Sequence, residues 1–86
     1  MGAIRQLIEK KTLKILDLLL KDKKKYYHLS EISKHSKIPV ASTFRIMNRL
    51  VSIGIIEIMV IGKMKIYRIS PTKETEELEN IIKNEM

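Results

Sequence analysis

The sequence predicts a small α+β domain, mainly helical: a three-helix core, then a β-hairpin, then one extra C-terminal helix. Three observations carry that expectation. Apolar residues recur at helical spacing in three stretches before Gly54. Beyond Gly54 the pattern turns extended and rich in β-branched residues, with Gly62-Lys63 in its middle. Finally, 86 residues of which 44% are hydrophobic leave room for one core and a short appendage.

The first helix is expected over about Ala3 to Lys21. Ile4, Leu7, Ile8, Ile15, Leu16, Leu19 and Leu20 form its apolar stripe, and Arg5, Lys10, Lys11 and Lys14 stay outward. Leu13 and Leu18 widen the apolar arc beyond what one interface needs. Asp22 to Lys25 reads as a solvated charged connector, and Tyr26 to Leu29 as a short strand. Ser30 is the expected N-cap of a brief second helix that ends near His35 or Ser36, with Glu31 at its positive start.

Pro39 lacks a backbone donor and holds Ile38 extended, so it forces a turn and suits the first turn of a third helix. That helix is expected over about Val40 to Ile53, with Thr43, Ile46, Met47 and Leu50 inward and Gly54 as its left-handed stop. Two short helices joined by a tight turn, the second longer, make a helix-turn-helix. Ile55 to Ile61 and Met64 to Ile69 form the hairpin, with Tyr67 in the core near Leu50 and Ile55. Ser70-Pro71-Thr72 ends it and offers a cap to the last helix, whose stripe is Leu78, Ile81, Ile82 and Met86. The whole order is that of a winged helix-turn-helix, with residues 1–70 as the winged domain and 71–86 as the added helix.

Charge narrows the function. The net charge is +7, yet residues 1–70 hold 15 of the 17 basic residues against 5 of the 10 acidic ones. A basic body with an acidic tail points to a polyanionic partner, nucleic acid first. The absence of cysteine removes disulfides and thiolate metal sites. His28 and His35 match no metal-ligand spacing, and no nucleophile–base pair, glycine-rich phosphate loop or paired carboxylates occur. The expectation is therefore no enzyme, no cofactor, no targeting segment and a cytoplasmic location. Abundant Lys, Glu and Ile without Trp resemble the composition of heat-adapted archaeal proteins.

The run LSEISKHSKIPVASTFRIMNRLVSIGIIE resembles the DNA-binding module of IclR-type regulators and, more broadly, of the ArsR and MarR groups. Ile38-Pro39 matches the turn of that pattern, Ala41 to Met47 its second helix, and Leu50 and Gly54 that helix's end. Lys65-Ile66-Tyr67-Arg68-Ile69-Ser70 is similar to the close of many winged domains, so the resemblance covers roughly residues 27–70. Lys37 stands where the pattern has a turn glycine, Ser33 where it has a small Ala, and Val40 and Ala41 where it often has polar residues.

The resemblance implies a transcription regulator that binds double-stranded DNA, with the helix at about 40–53 in the major groove and the hairpin at 55–69 on the backbone or minor groove. Val40, Ala41, Ser42, Phe44, Arg45, Asn48 and Arg49 are its outward face. Arg can pair twice with guanine, Asn with adenine, and Val or Ala can touch a thymine methyl. Lys34 and Lys37 flank the turn, and Lys63 and Lys65 sit on the wing as phosphate contacts. A homodimer through the N-terminal and C-terminal helices would cover their surplus apolar surface and set two reading helices about one DNA turn apart. The alternative is a winged-helix protein-interaction module of a transcription or replication assembly, suggested by the apolar hairpin. Binding of nucleic acid without sequence preference is a third reading.

Overall fold

The computed structural model describes residues 9–84. The order is α1 (Lys10–Lys21), β1 (Tyr27–His28), α2 (Leu29–Ser36), α3 (Val40–Ser52), β2 (Ile56–Ile61), β3 (Met64–Ile69) and α4 (Lys73–Asn84). The expected residues Ile4, Arg5, Leu7, Ile8 and Met86 lie outside the described part of the chain.

Helix α1 does not run through residue 9 as expected. Glu9 has an extended backbone and its carbonyl accepts the first helical bond, from the Leu13 N–H at 3.0 Å. The run EKKT over residues 9–12 has no apolar residue to bury, and the stripe resumes only at Leu13. From there Leu13, Ile15, Leu16 and Leu19 enter the core, and Leu18 and Leu20 pack partly against it.

The connector is less solvated than its composition implies. Lys23 bonds Glu79 at 2.8 Å, while Lys25 lies 3.6 Å from Glu31 and its ammonium sits over the Tyr27 ring. Two of the three consecutive lysines thus have partners contributed by other elements, which no local pattern records. Helix α2 also begins two residues earlier than a Ser30 cap requires. Its N-cap is His28, whose backbone N–H donates to the Glu31 carboxylate at 3.0 Å. Ser30 therefore lies inside the first turn. The reason is that the short strand runs straight into the helix at Leu29, so Glu31 falls at the position that closes a capping box.

The bend between α2 and α3 is built from Lys37, Ile38 and Pro39. Lys37 takes the left-handed conformation, φ 58°, that the glycine of the family pattern would supply. Pro39 is the N-cap of α3 rather than its first helical residue, because its carbonyl already accepts the Thr43 N–H at 2.9 Å. Thr43, Ile46, Met47 and Leu50 are buried as the stripe predicts. Helix α3 ends in a Schellman closure: Gly54 at φ 82° lets its own N–H reach Val51 and the Ile55 N–H reach Leu50.

The three strands form an antiparallel sheet in the order β1-β3-β2, with the Gly62-Lys63 turn joining β2 to β3. The face bearing Ile56, Tyr67 and Ile69 covers the helices, and burial pushes the Tyr67 hydroxyl pKa up. Thr72 caps α4 by accepting the Thr75 N–H at 3.2 Å. Helix α4 turns back on the domain, with Ile82 joining the core and Leu78 packed against it, while Ile81 stays exposed.

Candidate nucleic-acid interface

Burial of Thr43, Ile46, Met47 and Leu50 fixes which side of α3 is left to a partner. At 3.6 residues per turn, Ala41, Arg45, Asn48 and Ser52 fall along the centre of the opposite side. All four are exposed. Phe44 and Val40 lie on one flank of this strip, both exposed, with Phe44 at 41%. Ser42 and Arg49 lie on the other flank. Phe44 is thus a large aromatic side chain left outside the core.

Electrostatics favour an anion here. Arg45, Arg49, Lys34, Lys37, Lys63 and Lys65 are exposed, and among the described residues none is paired with a carboxylate. Arg45 reaches only the Ser42 hydroxyl, at 3.5 Å, so its guanidinium is kept on the outward strip without losing its charge to an acid. Helix α3 has no acidic residue in its first turn, which leaves its positive end uncompensated.

Some of the other cations have partners. Arg68 bonds Glu57 at 3.1 Å across the hairpin and stacks over the Tyr26 ring, so it braces the base of the wing. Lys23 and Lys83 both hold Glu79. Cations without a carboxylate partner among the described residues lie on the bend, α3 and the wing, and also on α1 at Lys10, Lys11, Lys14 and Lys21 and at Lys24 and Lys73.

Two residues of this surface escape a reading of the sequence. Ser52 continues the Ala41, Arg45, Asn48 strip and is tied down by donating to the Arg49 carbonyl at 2.7 Å. Its spacing of four from Asn48 was the available signal. Ile53 is 64% exposed at the end of α3 and, with Arg49, borders a shallow hollow formed with Glu9, Thr12 and Leu78. Arg49 thus borders residues of α1 and α4 from the flank of the strip.

Among the described residues no cluster of His, Asp and Glu could hold a metal ion, and no helix is long and apolar enough to cross a membrane.

Comparison with known proteins places the architecture. The homodimeric winged helix-turn-helix DNA-binding domain of a possible ArsR-family transcriptional regulator from Mycobacterium bovis superposes with a TM-score of 0.72, at 22% identity over 92% of this chain and 69% of that one. A protein from Archaeoglobus fulgidus gives a TM-score of 0.72, at 20% identity over 93% of this chain and 92% of that one. The ferric uptake regulator of Francisella tularensis, solved with iron, gives 0.68 at 21% identity over 77% of this chain. The chain spans only 55% of that regulator's length. At such identities these likenesses speak for the fold alone. No curated protein sequence matches the chain. The family match is different in kind, since it begins at α1, upstream of the run that carries the resemblance, and ends at the start of β2. Residues 10–57, more than half of the chain, match the IclR helix-turn-helix domain, and the chain belongs to this family of DNA-binding transcription-regulator domains.

Proposed function

We propose that the chain regulates transcription in the cytoplasm by laying α3 in the major groove of double-stranded DNA, with the β2–β3 wing on the adjacent backbone. The observation that carries this is the exposed strip Ala41, Arg45, Asn48 and Ser52, whose cation has no acidic partner among the described residues. Arg45 supplies a two-pronged donor for guanine, and Asn48 a donor and acceptor for adenine. Val40, Ala41 and Phe44 supply apolar contact for thymine methyl groups. Lys34, Lys37, Lys63 and Lys65 neutralise phosphates and set the register.

The active form is a homodimer through the terminal helices. Support comes from the exposed Ile81 on α4 and the hollow at Ile53 and Leu78, and from the homodimeric state of the Mycobacterium bovis domain. The two-fold axis would then set two α3 helices on successive major-groove faces. The lysine- and isoleucine-rich composition fits an archaeal source.

Selection of bound duplexes from a random pool, followed by gel-shift titration at several salt concentrations, tests the reading. A palindromic consensus and a steep loss of affinity with salt are expected. Absence of duplex binding at low salt would overturn it.

A further inference from the structure

We infer that the tip of the wing is an apolar wedge that enters a base step of the DNA minor groove, with Lys63 and Lys65 holding the flanking phosphates; this rests on the DNA-binding reading above. The hairpin is unlike an ordinary polar wing. Ile58, Met59, Val60, Ile61 and Met64 are all exposed, Val60 at 59% and Ile61 at 52%. They account for most of the large apolar exposure of the described residues, and they sit on the element that projects from the sheet. Ile61 and Met64 are the last cross-strand pair before the turn. Being opposite one another, they point to the same face and form one apolar end beside Gly62, whose φ of 60° closes the turn tightly.

Charge selects the occupant. From Ile58 to Tyr67 the chain carries two lysines and no acid. Lys63 lies in the turn, Lys65 pairs with Val60 on the other face of the ribbon, and neither is bonded to an acid among the described residues. A second copy packing wing to wing would bring four unpaired ammonium groups together, which opposes self-association. Phosphates on both sides of a minor groove are complementary to the same pair. Apolar side chains inserted at a base step are the means by which minor-groove proteins unstack it and bend the duplex. The base of the wing is stiff enough to transmit this, because Arg68 is locked to Glu57 and to Tyr26.

The test uses the full chain and duplexes of the selected sequence, with 2-aminopurine placed at successive minor-groove steps beside the site. Anisotropy of a terminal dye reads binding while 2-aminopurine emission reads unstacking. Wild-type protein should raise the emission at one or two steps. Ile61→Ser with Met64→Ser should abolish that rise and lower affinity about tenfold, from the apolar surface no longer buried. Ile61→Leu with Met64→Leu should restore both, and an unchanged thermal melt of the serine variant excludes a folding defect. Lys63→Ala with Lys65→Ala should reduce the salt slope by about 1.8. Binding with no rise in emission at any step overturns the wedge and leaves the DNA-binding reading standing, whereas no binding overturns both. Capture of the wing by an acidic protein, with wild-type DNA affinity retained in the serine variant, also overturns the wedge.

Discussion

Ser33 and Ile38 are joined twice across the bend of the helix-turn-helix: the Ile38 N–H donates to the Ser33 carbonyl at 3.1 Å, and the Ser33 hydroxyl donates to the Ile38 carbonyl at 2.6 Å. The family pattern has a small Ala at this position, which could not make the second bond. It secures a turn whose left-handed residue is Lys37 rather than glycine. Ser33→Ala should therefore destabilise the domain by about 1 kcal/mol despite matching the pattern better. The cost stays moderate because the Thr43 hydroxyl also approaches the Ile38 carbonyl, at 3.3 Å. Urea unfolding of both proteins measures it, and an unchanged midpoint would show the second bond to be idle.

Lys37→Gly should act in the opposite direction. A β-carbon in the left-handed region is strained by roughly 1–2 kcal/mol, part of which is offset by glycine's greater freedom when unfolded. A net stabilisation of about 0.5–1 kcal/mol is expected. The same change removes an exposed cation at the bend, so the salt slope of DNA binding should fall by about 0.9 if Lys37 meets a phosphate. Stability and affinity then move apart. A thermal melt and a salt titration on one preparation separate the two effects.

Glu79 is the buried acid among the described residues, bonded to Lys23 at 2.8 Å and to Lys83 at 2.7 Å. The bonds from these lysines, Lys23 first, hold its carboxyl below the ordinary glutamate value. The N–H of His28 does the same to Glu31. A depressed folded pKa contributes stability that is present above the unfolded glutamate value of about 4.3 and is lost as pH falls through the folded value. Glu79→Gln should thus destabilise by about 1 kcal/mol at pH 7, a modest figure because both lysines are largely exposed. Chemical unfolding of the two proteins from pH 7 down to pH 3 should show the gap closing. A gap that persists undiminished at pH 3 would exclude the ionic origin.

Local signals account for most of the architecture. Pro39, Gly54 and Gly62-Lys63 each break the backbone in a way that needs no tertiary context, and the stripe through Leu50 has one way to be buried. The start of α2 and the fate of Lys23 and Lys25 were not legible for a common reason. Each is decided by a contact outside its own helical pattern: β3 for the short strand that runs into α2, Glu31 for Lys25 and, 56 residues away, Glu79 for Lys23. Periodicity records what a segment must bury, not which distant acid will meet its lysine. The outward face of α3 was legible as a set, since burial of one side determines the other. Its internal order was not, because which residues Arg49 borders depends on how α1 and α4 pack.

That order gives the last prediction. Arg45 is central on the exposed strip and bonded only to Ser42, whereas Arg49 lies on a flank beside Ile53. On the proposed DNA-binding reading, Arg45 meets base edges and Arg49 the backbone at the groove wall. Arg45→Ala should cost about 1–3 kcal/mol on the selected duplex and flatten discrimination at one base pair. Arg49→Ala should weaken selected and scrambled duplexes alike and lower the salt slope by about 0.9. Competition titrations with single-base variants of the site read both quantities. If Arg49→Ala relaxes base preference and Arg45→Ala does not, α3 sits in the groove rotated toward its Arg49 flank, and Ser42 in place of Asn48 becomes the neighbouring base contact.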